Sequence, residues 1–263
     1  MAMSLITADP ALPPFPVDFQ VPDGYILVGD IPYSATINFT DHGQNFSQTK
    51  NGTFPQAGPY IIDFGGVIIG GAFSCDLGLP VQELATGAAS TYNLNVPFDI
   101  TGINPDKATI KAALPDLPSQ VIAFVESSFR QFDTDGTPLW GPPTGFGVMQ
   151  IDPPGVVANV FNWRVNIANA LALLTTKQNE IAGYVTRTQQ QYPNATNFTA
   201  DQLQIMIYQY YNSGYYYIWD DPSSSWIKNP NIKNMPGRDV TYGENAVNIQ
   251  NAVNSGAPPA GWS

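Results

Sequence analysis

The sequence predicts an α+β chain in two parts. A small, sandwich-like β domain is expected over residues 23–104 and an α-helical domain over residues 105–263, with an extended arm at 1–22 ahead of both. Three observations carry this. From Tyr25 to Ile103 the chain shows short apolar or alternating runs broken by Gly, Pro, Asn and Asp, as in YILVGDI, SATINFT and STYNLNVPFDITGI. Asn104-Pro105-Asp106 then punctuates the chain, because the residue before a proline is biased away from helix. Past Lys107 the apolar residues recur at helical spacing. Parallel βαβ alternation and internal repeats are both lacking.

Taken in order, residues 1–22 are Pro-rich and read as an arm lying extended on the domain. Within the β part, Asn51-Gly52 reads as a turn, and VQELATG allows a short helix. KATIKAAL is the first helical candidate after Pro105. A second helix is expected from Pro118 to Phe132, with Val121, Ile122, Val125, Phe129 and Phe132 on one face and Pro118 in its first turn. The next runs from Trp163 to Thr188 on Val165, Ala168, Leu171, Leu174 and Ile181. Thr199, followed three residues on by Gln202, forms a capping box that opens another helix, with Gly214 as its stop. Tyr215 to Trp226 is an aromatic loop or hairpin. A last helix is expected from Gly243 to Asn254, before the tail SGAPPAGW.

Composition narrows the function. The net charge is −11 and the pI about 4.2. An acidic surface repels phosphate backbones, so nucleic acid is not an expected partner. No run reaches ~18 apolar residues, so no membrane insertion is expected. Only 12% of residues are charged, about half the usual share. The surface must therefore be built from Asn, Gln, Ser, Thr, Tyr, Gly and Pro, a composition associated statistically with secreted, sugar-handling proteins. The N-terminus lacks the basic start and long apolar run of a signal peptide, so an export route is not visible. Cys75 is the only cysteine, which rules out an intrachain disulfide, and it reads as a buried thiol. His42 is the only histidine, in the polar TDHGQN stretch. A zinc site with two or three histidines is thereby excluded. A Ser-His-Asp triad would have to recruit His42, which no motif supports. No metal and no cofactor are expected.

The residue that stands out is Glu126. It follows the apolar run VIAFV and neighbours Ile122 and Phe129 at helical spacing. A carboxylate there is partly desolvated, which raises its pKa and favours the protonated form a general acid needs. The simpler alternative is a solvent-facing glutamate on an amphipathic helix. Gly145-Phe146-Gly147-Val148-Met149-Gln150 follows, with glycines that allow close backbone approach and a glutamine that can both donate and accept. Tyr210-Tyr211-Asn212-Ser213-Gly214 ends the capped helix.

In that order, Glu126-Ser127, Gly147-Val148-Met149-Gln150, Asn166-Ile167 with Ala170 and Leu174, and Tyr211-Asn212-Ser213-Gly214 resemble the lysozyme-like superfamily. In particular the pattern looks like the soluble lytic transglycosylase (SLT) domain and goose-type lysozymes, and GFGVMQID is similar to the goose-type form of the second motif. The resemblance covers about residues 115 to 215. It implies a lysozyme-like helical fold and cleavage of the β-1,4 bond between N-acetylmuramic acid and N-acetylglucosamine in peptidoglycan glycan strands, in a secreted or extracytoplasmic setting. Glu126 takes the catalytic acid/base position. Ser127, Phe146, Met149, Gln150, Tyr211 and Asn212 fall on positions that orient it or bind the sugar, and Asn212 also suits shaping the turn. Ordinary glycosidases use two carboxylates. Lytic transglycosylases resemble a one-carboxylate system that ends in a 1,6-anhydro sugar. Goose-type lysozymes carry helping aspartates; Asp152 matches one, while Trp140-Gly141-Pro142-Pro143 stands where another is expected, leaving Asp135 or Asp133 as substitutes. That departure favours the transglycosylase over the hydrolase. A glycan-binding protein without activity and a chitin-type substrate are the other readings. Tyr208, Tyr215, Tyr216, Tyr217, Trp219 and Trp226 either extend the cleft by stacking on sugars or fill a core. Arg164 is placed to meet a peptide-stem carboxylate or to form a surface salt bridge. The β domain carries no readable motif, and its expected role is binding wall polymer or a protein, or spacing.

Overall fold

The structure, a computed structural model, describes residues 2–235 and 237–263. It is mixed α+β. In chain order the elements are β1 (Ala2–Ile6), β2 (Phe15–Val17), β3 (Tyr25–Leu27), β4 (Ile31–Asp41), β5 (Gln44–Phe54), β6 (Tyr60–Ile62), β7 (Gly71–Glu83), β8 (Ala89–Gly102), α1 (Lys107–Ala112), α2 (Leu117–Ser127), β9 (Trp140–Gly141), β10 (Gly145–Phe146), α3 (Val157–Phe161), α4 (Trp163–Gln191), α5 (Ala200–Asn212), β11 (Tyr217–Asp220), β12 (Ser225–Lys228) and α6 (Tyr242–Asn254). They fall into two compact units. The first comprises Met1–Pro105, Gln131–Leu139 and Gly155–Trp163, and the second Asp106–Arg130, Trp140–Pro154 and Arg164–Ser263.

The first unit is built on one sheet of six strands, ordered β1-β8-β7-β4-β5, with β3 also paired to β7. β2 and β6 form a separate two-stranded ribbon. The first 22 residues thus supply β1, parallel to β8, and β2 of the ribbon. Along β7 the period of two is strict: Phe73, Cys75, Leu77, Leu79 and Val81 are all buried. Phe15 of the ribbon meets Phe73 and Phe98 edge-on, at 5.1 and 5.5 Å. Two local expectations fail here. Asn51-Gly52 is not a turn but lies inside β5, where Gly52 pairs with Tyr33 and a Cβ would come within 2.6 Å of its ring. The hairpin instead turns at His42-Gly43, with φ of 44° and 77°, the left-handed pair that a two-residue loop demands. VQELATG is likewise not helical: Val81-Gln82-Glu83 ends β7, and Gly87 at φ 72° turns the chain into β8.

The second unit is helical with two small hairpins, β9–β10 and β11–β12. Asp116 caps α2, accepting from Ser119 N, with Ser119 reciprocating. α2 stops at Ser127, five residues before the end the apolar pattern suggests. Ser128 and Phe129 take φ of 54° and 64°. Phe129 is thereby directed into a cluster with Phe124 and Trp262, at ring distances of 5.8 and 5.5 Å. Trp262 is itself buried, and its carbonyl accepts from Lys111 Nζ at 2.9 Å. On α4 the buried stripe is Asn166, Ile167, Ala170, Leu174 and Ile181; Ala168 faces outward instead. The α5 capping box forms as expected, with Thr199 and Gln202 exchanging bonds. The aromatic stretch after Gly214 is a hairpin, β11–β12. No helix among the described residues is long and apolar enough to cross a membrane.

Candidate functional site

Glu126 lies in the last turn of α2, four residues after Ile122, which is fully buried. Glu126 is half-buried, and its side chain lines a cleft. Burial pushes its pKa up to about 7, and a hydrogen bond from Tyr242 works against that rise. Tyr242 Oη donates to Glu126 Oε1 at 2.7 Å. Tyr242 is the first residue of α6 and is itself buried.

The Gly147-Val148-Met149-Gln150 segment is a four-residue loop closed by the Phe146–Ile151 pair, whose backbone bonds measure 3.3 and 3.2 Å. Gly147 and Gln150 both take positive φ, 76° and 47°, which lets the loop close so tightly. Three side chains from three helices hold it. Asn166 of α4, wholly buried, donates to Phe146 O at 2.8 Å and accepts from Met149 N at 2.8 Å. Ser127 Oγ donates to Val148 O at 2.7 Å. Tyr211 Oη donates to Met149 O at 2.6 Å. Gln150 then extends its carboxamide along Gly141 and Gly145, donating to Gly147 O at 2.9 Å. A Cβ on Gly141 would meet Gln150 Oε1 at 2.4 Å, and one on Gly145 would meet it at 3.0 Å.

The far wall comes from the end of α5 and the loop before α6. Asn212 accepts from Asp239 N at 2.9 Å and donates to Gly237 O at 3.1 Å. Gln209, fully buried, donates to Asp239 O at 2.6 Å and accepts from Gly243 N at 2.9 Å. These bonds tie α5 to the start of α6 and so fix where Tyr242 stands. The cleft measures about 620 Å³ and belongs wholly to the second unit. Glu126, Gln150, Asp152, Tyr211, Asn212 and Tyr242 line it, together with Gly141, Pro142 and Pro143, and with Lys177, Arg238 and Asp239.

The residues singled out from the sequence divide accordingly. Glu126, Gln150, Tyr211, Asn212 and Asp152 converge on the cleft. Ser127, Phe146 and Met149 do not line it. All three are buried, and they act on the site by holding the loop rather than by offering a surface to a ligand. Asp135 is an exposed turn residue of the first unit whose carboxylate accepts from Thr137 N and Oγ1, and neither it nor Asp133 lines the cleft. Asp152 accepts from Thr144 Oγ1. Arg164 is exposed on α4 and also lies outside the lining. Tyr216, Trp219 and Trp226 fill cores around Ile181, Met206 and Ala195, Tyr217 packs against both, Tyr208 is wholly buried, and Tyr215 stacks between Tyr184 and Tyr210. None of Tyr208, Tyr215, Tyr216, Tyr217, Trp219 and Trp226 lines the cleft, whereas Tyr210 does. Tyr242, Lys177, Arg238 and Asp239 were not anticipated. Lys177 left a readable signal, a lysine three residues after Leu174 and four before Ile181 on the apolar stripe. Tyr242 and Arg238 left none.

Chemically, the cleft offers one carboxyl whose pKa burial raises to about 7, a phenol bonded to it, and a carboxamide on the same lining. Among the described residues no cluster of three or more His, Cys, Asp or Glu is arranged to hold a metal. Comparison with family models, with curated proteins and with solved structures finds no match to this chain.

Proposed function

We propose that the chain is a peptidoglycan lytic transglycosylase whose second unit is a lysozyme-like catalytic domain with Glu126 as its single acid/base. The observation that carries this is Glu126 itself: a carboxyl facing a cleft of about 620 Å³, protonated up to about pH 7 by burial and bonded by Tyr242. In the first step Glu126 gives its proton to the glycosidic oxygen, and the bond to the muramyl C1 breaks. The resulting carboxylate, stabilised by Tyr242 Oη, then takes the proton of that sugar's own 6-hydroxyl as its oxygen closes on C1. The product is a 1,6-anhydro-muramyl end, and Glu126 is returned to its acid form. Gln150 and Asn212 offer polar contacts to the acetamido and hydroxyl groups along the strand. The substrate implies work in an extracytoplasmic or secreted setting, with the first unit binding wall polymer or a protein partner.

Asp152 supports a second reading. It lines the same cleft, and a carboxylate there is suited to position water, which gives a goose-type-like hydrolase with reducing ends. Digestion of purified peptidoglycan followed by mass analysis of the muropeptides separates the two, since anhydro products lack one water. Reducing ends alone overturn the transglycosylase. Binding without any product leaves a glycan-binding protein on this scaffold.

A further inference from the structure

The apolar stripe of α4 carries one misfit. Ala170, Leu174 and Ile181 are buried along it, and Lys177 stands between the last two at helical spacing. Withdrawing an ammonium from water costs free energy unless an opposite charge or several acceptors replace the water. Lys177 Nζ donates to Tyr210 O at 2.7 Å and lies 4.8 Å from the centre of the Tyr210 ring. Burial lowers its pKa; the charge of Glu180 opposes this and that of Arg238 adds to it. Arg238 lines the same cleft and is close enough to act electrostatically on Lys177. Among the described residues, no carboxylate lies within 4.0 Å of either cation. The chain has 21 acidic side chains for 10 basic ones, so two cations left without such a partner in one cleft have not been short of candidates.

We infer that Lys177 and Arg238 form a carboxylate subsite, which holds the acidic substituent carried by the muramyl sugar. The inference rests on the reading of this cleft as a peptidoglycan-cleaving site. A guanidinium presents a planar fork to a carboxylate, and a lysine adds a movable point charge. Strands of N-acetylglucosamine alone carry no such group, so the subsite selects peptidoglycan over chitin. Two sources supply the same chemistry: the lactyl carboxylate, free where the peptide has been removed, and the carboxylates of the peptide stem.

The test is binding by calorimetry to the Glu126→Gln protein, which leaves the ligand intact. The probes are a muropeptide tetrasaccharide with its stems, the same tetrasaccharide stripped of peptide, and chitotetraose. At least one acidic probe is expected to bind about tenfold or more tighter than chitotetraose, the difference one charge-assisted contact supplies. Lys177→Met, which suits the apolar stripe, and Arg238→Gln should each reduce that preference, and high salt should weaken it. Preference for the stem-bearing probe assigns the stem carboxylates, and preference for the stripped probe assigns the lactyl group. Equal affinity for neutral and acidic probes, no binding at all, or a preference untouched in both variants overturns the subsite. Digestion by the unsubstituted protein is run in parallel. Preference without product release keeps the subsite and overturns the catalytic reading; product release without preference does the reverse.

Discussion

Tyr242 Oη and Glu126 Oε1 stand 2.7 Å apart although 116 residues of chain separate them. The bond joins the last turn of α2 to the first residue of α6. A phenol can donate to a carboxylate more strongly than to a neutral acid, so this bond favours the ionised form and opposes the effect of burial. Tyr242→Phe keeps the ring and removes the donor. The pKa of Glu126 then moves further up, and the descending limb of the activity profile moves to higher pH. Turnover falls roughly tenfold, the effect of one hydrogen bond to a charged group worth about 1.5 kcal/mol. A pH profile of muropeptide release checks both. An unmoved limb would separate Tyr242 from the titration of Glu126.

Glu126→Gln replaces the acid with a neutral group of the same shape. Activity is expected to fall by at least ~10³-fold, as for loss of a general acid with nothing to replace it. Stability should change in the opposite sense. The folded pKa of about 7 exceeds the ordinary value of 4.5. Between those values the native state holds a proton the unfolded chain has released, so the stability Glu126 contributes is full below about pH 4.5 and is lost as pH rises through about 7. The variant should therefore melt above the unsubstituted protein at pH 8, with the gap closing at pH 4. Thermal melts at the two values check this.

How much of this was legible beforehand differs by element. The capping box at Thr199, the helix break before Lys107 and the acid after VIAFV are local patterns, and local patterns survive into the fold. The end of α2 was not legible, because Ser128 and Phe129 carry no glycine to announce a left-handed stop; ring packing against Trp262 enforces it. Asn51-Gly52 had the right letters for a turn and the wrong neighbours, since Gly52 serves to seat Tyr33 within the sheet. In the site, Gln150 and Tyr211 came with motifs attached. Tyr242 could be found only by folding the chain, because its approach to Glu126 depends on Gln209 and Asn212 tying two distant segments.

Asn166 is the tie whose loss should be most damaging to the loop. Its carboxamide satisfies both Phe146 O and Met149 N in a fully buried place. Asn166→Ala removes the acceptor of Met149 N and leaves Phe146 O only its bond from Ile151 N, and one buried donor left unmade costs about 1–3 kcal/mol. Urea denaturation should show a lowered midpoint. Muropeptide release should fall even well below the transition, because Gln150 and the Met149 carbonyl that receives Tyr211 lose their support.

Gly141 tests whether Gln150 acts in the cleft or only shapes the loop. An added Cβ would come 2.4 Å from Gln150 Oε1, the far end of a flexible side chain rather than backbone. Gly141→Ala should therefore fold and melt nearly as the unsubstituted protein does, within about 0.5–1 kcal/mol, while displacing the carboxamide. If the carboxamide contacts the sugar, turnover or KM worsens in Gly141→Ala and in Gln150→Ala alike. The double variant should then be no worse than the single ones, because both remove one contact. Kinetics on the three proteins decide it. Additive losses would mean that Gly141 and Gln150 act separately, and unchanged kinetics in Gln150→Ala would rule the carboxamide out as a contact to the proposed substrate.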